Sequence, residues 1–553
     1  MRPSVQKGIA LGALLALVVG GGCKVGSDYV APQATVNSSY IQIDESKGIR
    51  QEVGADVASW WSQIQDPVLS RLTNEAITNN LTLHEALYRI QSARAALGST
   101  QANMYPQFAE GGGYTYGRSS AMNKSYEDVN LVTSMSWEVD VFGRLQRANE
   151  VAAASMEELR ELYRNTYVIV CANIATLYGN ARSYQEQIRI SEENIEIQHQ
   201  TLDITRTKNE LGSASKLDES QALGVCRGTE SNVLSLQTMY QTTLNQISIL
   251  VGRPPGYVDE MMRSPAPIPS APEQIMVGIP AELLRRRPDI RAAEQRVIAQ
   301  NARVGVAIGD LYPVFSLNGT FGLDAGSFSG MFDKSAIDAG IGPSFRWNIL
   351  NFGKYRFNVE AQEITLQEQI SAYREAVLEA AQEVDDALVS YVNERDRLDT
   401  LSDAVDAYTD AYNLSNERYK SGQIDFQRLL DSQAGKLSYE LQYIQCRASM
   451  FTSVVNLYRA LGGDWMGSST GAAGGEYLPT TQVTSATDVM ESDANARNAS
   501  GRYTTRATAV ETRSYDPESE WTERRERSRE RVALALHDDE VMNDTINSLN
   551  VDL

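Results

Sequence analysis

The chain contains one long unit twice, and that duplication limits its architecture more than any other feature. Arg89-Ile90, Ala95, Gly98, Tyr105-Pro106 and Phe108 recur as Arg296-Val297, Ala302, Gly305, Tyr312-Pro313 and Phe315, at an offset of 207. Trp137-Glu138-Val139-Asp140-Val141-Phe142-Gly143-Arg144 is answered by Trp347-Asn348-Ile349-Leu350-Asn351-Phe352-Gly353-Lys354 at 210, and Gly212 and Gly252 by Gly422 and Gly462 at the same 210. An offset held this long requires elements of equal length in both copies. The 553 residues therefore do not divide into three or four unrelated domains. They read as a leader over residues 1–22, a first copy over 23–270, a second over 271–465 and a tail over 466–553.

Within each copy the hydrophobic period changes once. No proline lies between Gly143 and Gly212, where Met156, Leu159, Tyr163, Tyr167, Val170, Ile174, Leu177, Ala181, Tyr184 and Ile188 follow spacings of three and four. The second copy repeats the seam with Leu366, Ile370, Tyr373, Val377, Ala380, Val384, Ala387 and Tyr391, then Leu398, Leu401, Val405, Tyr408 and Tyr412. About 65 residues of helix span about 100 Å. Gly212 and Gly422 supply helix-ending turns, after which a shorter heptad segment returns to Gly252 or Gly462. Each copy thus holds a long helical hairpin, over 144–252 and 354–462. A coiled-coil rod accounts for these seams equally well.

The segment before each long helix has period two instead. Leu131, Met135, Trp137, Val139 and Val141 alternate with Ser134, Ser136, Glu138 and Asp140. Ile341, Phe345, Trp347 and Ile349 alternate with Gly340, Gly342, Ser344, Arg346 and Asn348. Preceding segments place Tyr114, Tyr116, Phe315, Leu317 and Phe321 on one face. The pattern predicts β-hairpins over 107–142 and 313–352, with loops Ser119–Asp128 and Asp324–Asp338, in strands of roughly the ten residues that cross a bilayer when tilted. Half-buried strands of a soluble sheet share this pattern. Four strands form an open sheet, whose edge groups find no partner in lipid, so closure needs further copies of the chain. Two chains give eight strands filled by side chains, whereas three give twelve and leave a channel.

Arg2 and Lys7 precede the apolar run Ile9–Val19 and Gly20-Gly21-Gly22-Cys23. This is a signal-peptide pattern, too short to span a membrane as a helix. Small residues directly before the cysteine resemble a bacterial lipobox, which implies cleavage and lipidation at Cys23, giving a stable anchor. Lys24 stands where an aspartate favours inner-membrane retention in such lipoproteins, which implies the outer membrane. A net charge of -21 argues against nucleic acid as partner. His84, His199 and His537 are far apart without a second ligand at metal spacing, so the sequence predicts neither a metal nor another cofactor. Cys171, Cys226 and Cys446 fall at different heights along the hairpins and read as small buried thiols. Ser213-Ala214-Ser215-Lys216 is an isolated S-x-x-K without the companion motifs of an acyl-enzyme site, so the chain is not read as an enzyme. The stretch from Asp464 to Leu553 has 17 acidic and 9 basic residues, is rich in Ser, Thr, Gly and Ala, and reads as mostly disordered.

These residues resemble the TolC family of outer-membrane channel-tunnels, most closely its lipoprotein (NodT-type) branch serving resistance-nodulation-division pumps. The resemblance is carried by Cys23-Lys24-Val25-Gly26-Ser27-Asp28-Tyr29, Trp60-Trp61 with Asp66-Pro67, Trp137 to Arg144, Leu283-Leu284-Arg285-Arg286-Arg287-Pro288-Asp289-Ile290-Arg291, and Leu429-Leu430-Asp431-Ser432-Gln433. It implies a mainly α homotrimer with a twelve-stranded transmembrane β-barrel and a twelve-helix α-barrel. It also implies passive export of drugs or other toxic compounds, with a periplasmic adaptor (membrane fusion) protein and an inner-membrane pump as partners. Metal-ion (copper or silver) efflux or type I secretion are alternatives, as is, more remotely, a lipid-anchored coiled-coil lipoprotein. For the periplasmic gate the resemblance points to Asp218, Tyr419 and Asp431. Ile424 replaces the family's latch arginine, and Arg428, at the copy-two equivalent of Asp218, suggests a substitute ion pair. For adaptor docking it points to Lys208, Gly212 and Ser215 on one hairpin and Arg418, Gly422 and Asp425 on the other.

Overall fold

The computed structural model describes residues 24–33, 39–40, 49–51, 64, 66–119, 124–270, 275–277 and 286–463. In chain order the elements are β1 (Ile49–Gln51), α1 (Pro67–Asn79), α2 (Leu81–Ala102), β2 (Gln107–Ser119), β3 (Lys124–Val139), α3 (Arg144–Glu210), α4 (Lys216–Leu250) and α5 (Asp259–Met262). The second half holds β4 (Ile275–Val277), α6 (Pro288–Gly309), β5 (Val314–Ala325), β6 (Ile337–Arg346), α7 (Lys354–Lys420) and α8 (Phe426–Ala460). The duplication is literal in the helices. Lengths of 22, 67 and 35 residues in α2, α3 and α4 recur in α6, α7 and α8.

Strand register explains why the offset changes from 207 to 210. Gln107 pairs with Ser136 and Val314 with Arg346, so the first strands match at 207 and the second strands at 210. The three extra residues therefore sit in the loop between β5 and β6, which carries two 3-10 turns, Ser329–Phe332 and Lys334–Ala336. Two strand ends differ from expectation. β3 begins at Lys124, so its antiparallel pairing with β2 takes in Glu127 and Asp128, which the sequence places in a loop. β6 stops at Arg346 rather than running to Phe352, because its only partner among the described residues, β5, begins at Val314.

The sheet has the order β2-β3-β5-β6, all antiparallel. Register and pleat put Phe108, Tyr114, Leu131, Met135, Trp137, Phe315, Phe321, Ile341 and Phe345 on one face. Asn130, Ser134, Ser136, Asn318, Gly340, Gly342 and Ser344 take the other. On that polar face Ser136 Oγ donates to Asn318 Oδ1 at 3.1 Å, and Asn318 Nδ2 donates to Ser344 Oγ at 2.9 Å, a ladder across three strands. Each repeated tryptophan pins the hairpin to the preceding helix. Trp137 Nε1 donates to Met104 O at 2.8 Å and Trp347 Nε1 to Leu311 O at 3.1 Å, positions equivalent in the repeat.

Four glycines close the helical hairpins in the way the sequence predicts. Gly212, Gly252, Gly422 and Gly462 have φ of 74, 72, 75 and 98°, a region that disfavours any Cβ. The residue after each donates back to the carbonyl five positions earlier, as in Ser213 N to Lys208 O at 2.7 Å and Gln423 N to Arg418 O at 2.8 Å.

End-to-end helix junctions make the wall. Asn80 caps α2 through Leu83 N, and its amide donates to Leu250 O, the last carbonyl of α4, at 2.8 Å. Its repeat counterpart, Arg287, does the same to Ala460 O of α8 at 2.8 Å while pairing with Asp289 and Glu383. α4 followed by α2 thus runs beside α3, and α8 followed by α6 beside both α3 and α7. Around these junctions lies the main core, with Leu69, Leu72, Ile174, Tyr178, Leu244, Ile247, Val454 and Leu457 buried. There Tyr178 donates to Asp66, the N-cap of α1, and accepts from Arg182. β1 and β4 form a short parallel pair that ties the two halves. Among the described residues no helix is long and apolar enough to cross a membrane.

The first described residues strap the helix–sheet boundary. Val25 N bonds Phe142 O at 3.1 Å. Buried Arg147 donates to Val25 O, Gly26 O and Ser27 O at 3.1, 2.9 and 3.2 Å and pairs with Glu150 and Asp28. Gly26 is required here, since a Cβ would lie 2.9 Å from Gly305 Cα. Replacing Arg147 with Ala orphans three carbonyls and should cost about 3 kcal/mol. The checks are a lower thermal midpoint and faster proteolysis within residues 24–33; an unchanged cleavage rate contradicts the strap.

Candidate channel wall and hairpin tip

Two regions concentrate functional geometry. The first is the sheet, apolar on one face and polar on the other, with β2 and β6 as open edges. Around its helix-proximal end the aromatic rings cluster. Phe142 stacks on Tyr312 at 4.6 Å between centroids, Phe315 lies 6.5 Å from Phe142, and Phe345 lies 6.1 Å from Phe315. The copy-two counterpart of Phe142 is Phe352, which is 95% exposed, as are Tyr105 and Phe108 at 63% and 69%. Half of a repeated contact is therefore presented on each outer flank of the chain.

The second region is the tip shared by the two helical hairpins. Leu202, Ala222, Tyr412, Tyr419, Phe426 and Leu429 are buried together there, with Ile197, Ile204, Ile424 and Leu430 against them. Burial alone raises the Tyr412 phenol above its ordinary pKa. Tyr419 and Phe426 have ring centroids 5.7 Å apart, and Thr205 Oγ1 lies 3.4 Å from Tyr419 OH. Glu219 holds Asn209 Nδ2 at 2.9 Å and Lys216 at 2.8 Å, and the Lys216 bond is the main reason its carboxyl titrates low.

The sequence-predicted residues divide between solvent and this cluster. Gly212 and Gly422 form the two apices, with open space around the missing Cβ. Ser215 caps α4 and forms a reciprocal capping box with Asp218, at 3.2 and 2.9 Å. Asp425 caps α8 by accepting from Arg428 N at 3.2 Å. Arg418, Asp425, Arg428 and Asp431 are exposed, Asp431 taking a hydrogen bond from Gln427 at 2.8 Å. Asp218 and Arg428 do not pair within the chain, because the Asp218 carboxylate serves the backbone of Ser215. Lys208 also differs from a free docking residue. Its ammonium bonds Tyr419 O and stands 4.0 Å over the Tyr419 ring, joining the two hairpins. Cys23 lies outside the described residues.

Of this cluster the sequence points only to Tyr419 as a gate residue, and not to the companions packed around it. The cluster's signal is departure from the repeat: at offset 210, Phe426 stands against Lys216, Leu429 against Glu219 and Tyr419 against Asn209. Apolar residues where the sister copy is polar mark a contact between copies. Cys171, Cys226 and Cys446 are buried, as expected, and none is in a disulfide among the described residues; Cys226 lies beside His199 and Glu230 in a group capable of holding an ion. Ligands drawn from two facing helices leave no spacing motif. Burial raises the Cys226 thiol pKa, helped by Glu230, and burial with Glu394 pushes Cys446 up to about 12.

Comparison with known proteins gives a consistent result. The family described as outer membrane efflux protein matches twice, over residues 72–253 and 279–463. The antibiotic efflux pump outer membrane protein ArpC of Pseudomonas putida is 28% identical over 457 residues, covering 80% of this chain and 93% of that protein. Nodulation protein T of Rhizobium leguminosarum bv. trifolii is 27% identical over 416 residues, covering 74% and 88%. Among solved structures, the outer-membrane channel OprN superposes with a TM-score of 0.74 at 30% identity, covering 80% of this chain and 99% of that one. The open-state MtrE outer membrane channel of Neisseria gonorrhoeae shares the fold, with a TM-score of 0.73, 23% identity and coverage of 80% and 98%.

Truncating Phe426 to Ala should remove about 3 kcal/mol from the tip cluster. Amide exchange within residues 200–210 and 416–430 should then speed up a hundredfold or more, while Asp431→Asn leaves it unchanged. Equal exchange in Phe426→Ala and the parent contradicts a tip held by this cluster.

Proposed function

Because the chain belongs to the outer membrane efflux protein family, we propose that three copies form the outer-membrane channel of a tripartite efflux system. An inner-membrane pump of the resistance-nodulation-division class and a periplasmic adaptor complete it. Transport through the channel is passive, driven by the pump, and the chain acts as a transporter rather than an enzyme. The observation that carries this reading is a two-faced antiparallel sheet whose edges, β2 and β6, find no partner strand among the described residues, running directly into helices of 67 residues.

The repeat supplies the geometry of closure. Within the chain, β3 of one copy pairs with β5 of the next, Val139 opposite Phe315. Carrying both residues to their repeat equivalents places Ile349 opposite Phe108 of a neighbouring chain. β6 then gains the partner that it lacks beyond Arg346, and Phe352 meets the neighbour's Tyr105 as Phe142 meets Tyr312. Twelve strands tilted by about 40° close at a radius of about 12 Å, against about 8 Å for eight. Glycines and serines on the inner face keep the wider ring open. Strands of 10 to 16 residues reach across the roughly 25 Å apolar band at this tilt.

Below the sheet, each chain contributes α3, α7 and two end-to-end helix pairs, which gives twelve helical staves in the trimer. The apolar tip cluster holds the two hairpins of each chain together at the entrance, and exposed Arg418, Asp425, Arg428 and Asp431 repeat by threefold symmetry around that entrance. A ring of Asp431 carboxylates favours cations. Arg418, Gly422 and Asp425, with Gly212 and Ser215, form the docking surface for the adaptor. Lipidation at Cys23 is supported by the strap, which holds the adjoining Lys24 and Val25 at the sheet's helix-proximal rim, where the membrane surface must lie.

Cysteines at 108 and 349 test the arrangement. Oxidation should produce covalent trimers that resist denaturing detergent, while the 108/345 pair, four residues out of register, should not. Cross-linking of both pairs alike, or of neither, contradicts the closure.

A further inference from the structure

Three metal-ligating side chains meet on the first helical hairpin, where the export reading assigns no role. They are His199 of α3 with Cys226 and Glu230 of α4, and their ligand atoms lie within 4.8 Å of one another. Cys226 and Glu230 are four residues apart and share a helix face. His199 precedes the apex Gly212 by about as many residues as Cys226 follows it, so antiparallel packing sets the three at one height. Arg227 holds Oε2 of Glu230 at 2.6 Å, leaving Oε1 turned toward the other two.

The triangle has the dimensions of a coordination face. His199 Nε2 is 3.6 Å from Cys226 Sγ and 3.4 Å from Glu230 Oε1, and Sγ is 3.7 Å from Oε1. Tetrahedral bonds of about 2.3 Å to sulfur and 2.0–2.2 Å to nitrogen and oxygen separate those atoms by about 3.6, 3.4 and 3.6 Å. A simple imidazolium–carboxylate pair closes to about 2.7–2.9 Å instead. We propose that His199, Cys226 and Glu230 bind a borderline-soft divalent cation of the zinc class, with water in the fourth position. The thiol and imidazole select against calcium and magnesium. The buried sulfur sits beneath an imidazole that is 46% exposed and a carboxylate that is 30% exposed, so the ion enters from the imidazole side and a water completes the shell. On binding, the thiol releases its proton to solvent as sulfur takes the metal. The bound ion ties α3 to α4 about 20 Å above the apex, stiffening one hairpin of the tip.

The test uses the full-length trimer in detergent, stripped by chelator and titrated with Co²⁺. The expected result is one ion per chain, a near-ultraviolet thiolate-to-cobalt band and the strong visible bands of a tetrahedral ion, all displaced by Zn²⁺. Cys226→Ser should abolish the near-ultraviolet band and weaken binding at least tenfold. His199→Ala, at an exposed position that the fold tolerates, should also weaken it at least tenfold, while a Cys171→Ala/Cys446→Ala variant should match the parent. Absence of the thiolate band in the parent overturns the site, as does its persistence in Cys226→Ser. A weak octahedral spectrum unaltered by every variant also overturns it, since that is ordinary binding to surface carboxylates.

Discussion

An open β-sheet cannot remain in hydrocarbon, because each unpaired edge N–H and C=O costs several kcal/mol without water. The rest of the structure answers that constraint. One hairpin per copy gives a four-stranded sheet whose two edges, β2 and β6, are complementary by the same repeat that joins β3 to β5. Closure therefore needs no new kind of contact. It needs the internal interface to be used again between chains, which makes the trimer close to sixfold at the level of the repeat. Closed barrels leave no edge to satisfy, and the apolar face then meets lipid while the serine and asparagine ladder meets water.

The helical part inherits its geometry from the sheet. Each second strand leads through Phe-Gly into a helix of 67 residues, while a 22-residue helix leads into each first strand. A stave beside the long helix must be assembled from two shorter pieces, and the join is chemical as well as geometric. Asn80 and Arg287, equivalent in the repeat, hand a donor to the last carbonyl of the helix below. Arg147 meets a comparable demand at the upper end, where three strap carbonyls converge on one guanidinium. Buried charge is accepted there because it satisfies backbone acceptors that no regular element can reach.

Much of this was legible in the residues. Equal helix lengths followed from the constant offset, and the apices followed from Gly212 and Gly422, because the left-handed turn that ends a helix admits little else. What depended on a partner in space was harder to read. The end of β6 is set by where β5 begins, so the alternating pattern through Ile349 outran the strand. Lys208 sat at a plausible docking position, yet an aromatic ring and a carbonyl of the other hairpin claim it. Phe426 and Leu429 belong to a contact between copies, visible only as breaks in the repeat. His199, Cys226 and Glu230 come together across two helices and carry no linear motif.

Planar-bilayer recording on the purified protein tests the central claim most directly. Insertion of the trimer should give discrete, long-lived conductance steps that favour cations, with conductance rising when the apolar tip is loosened. Trimers that insert without discrete conductance steps would contradict a closed twelve-stranded barrel continuous with a helical tunnel.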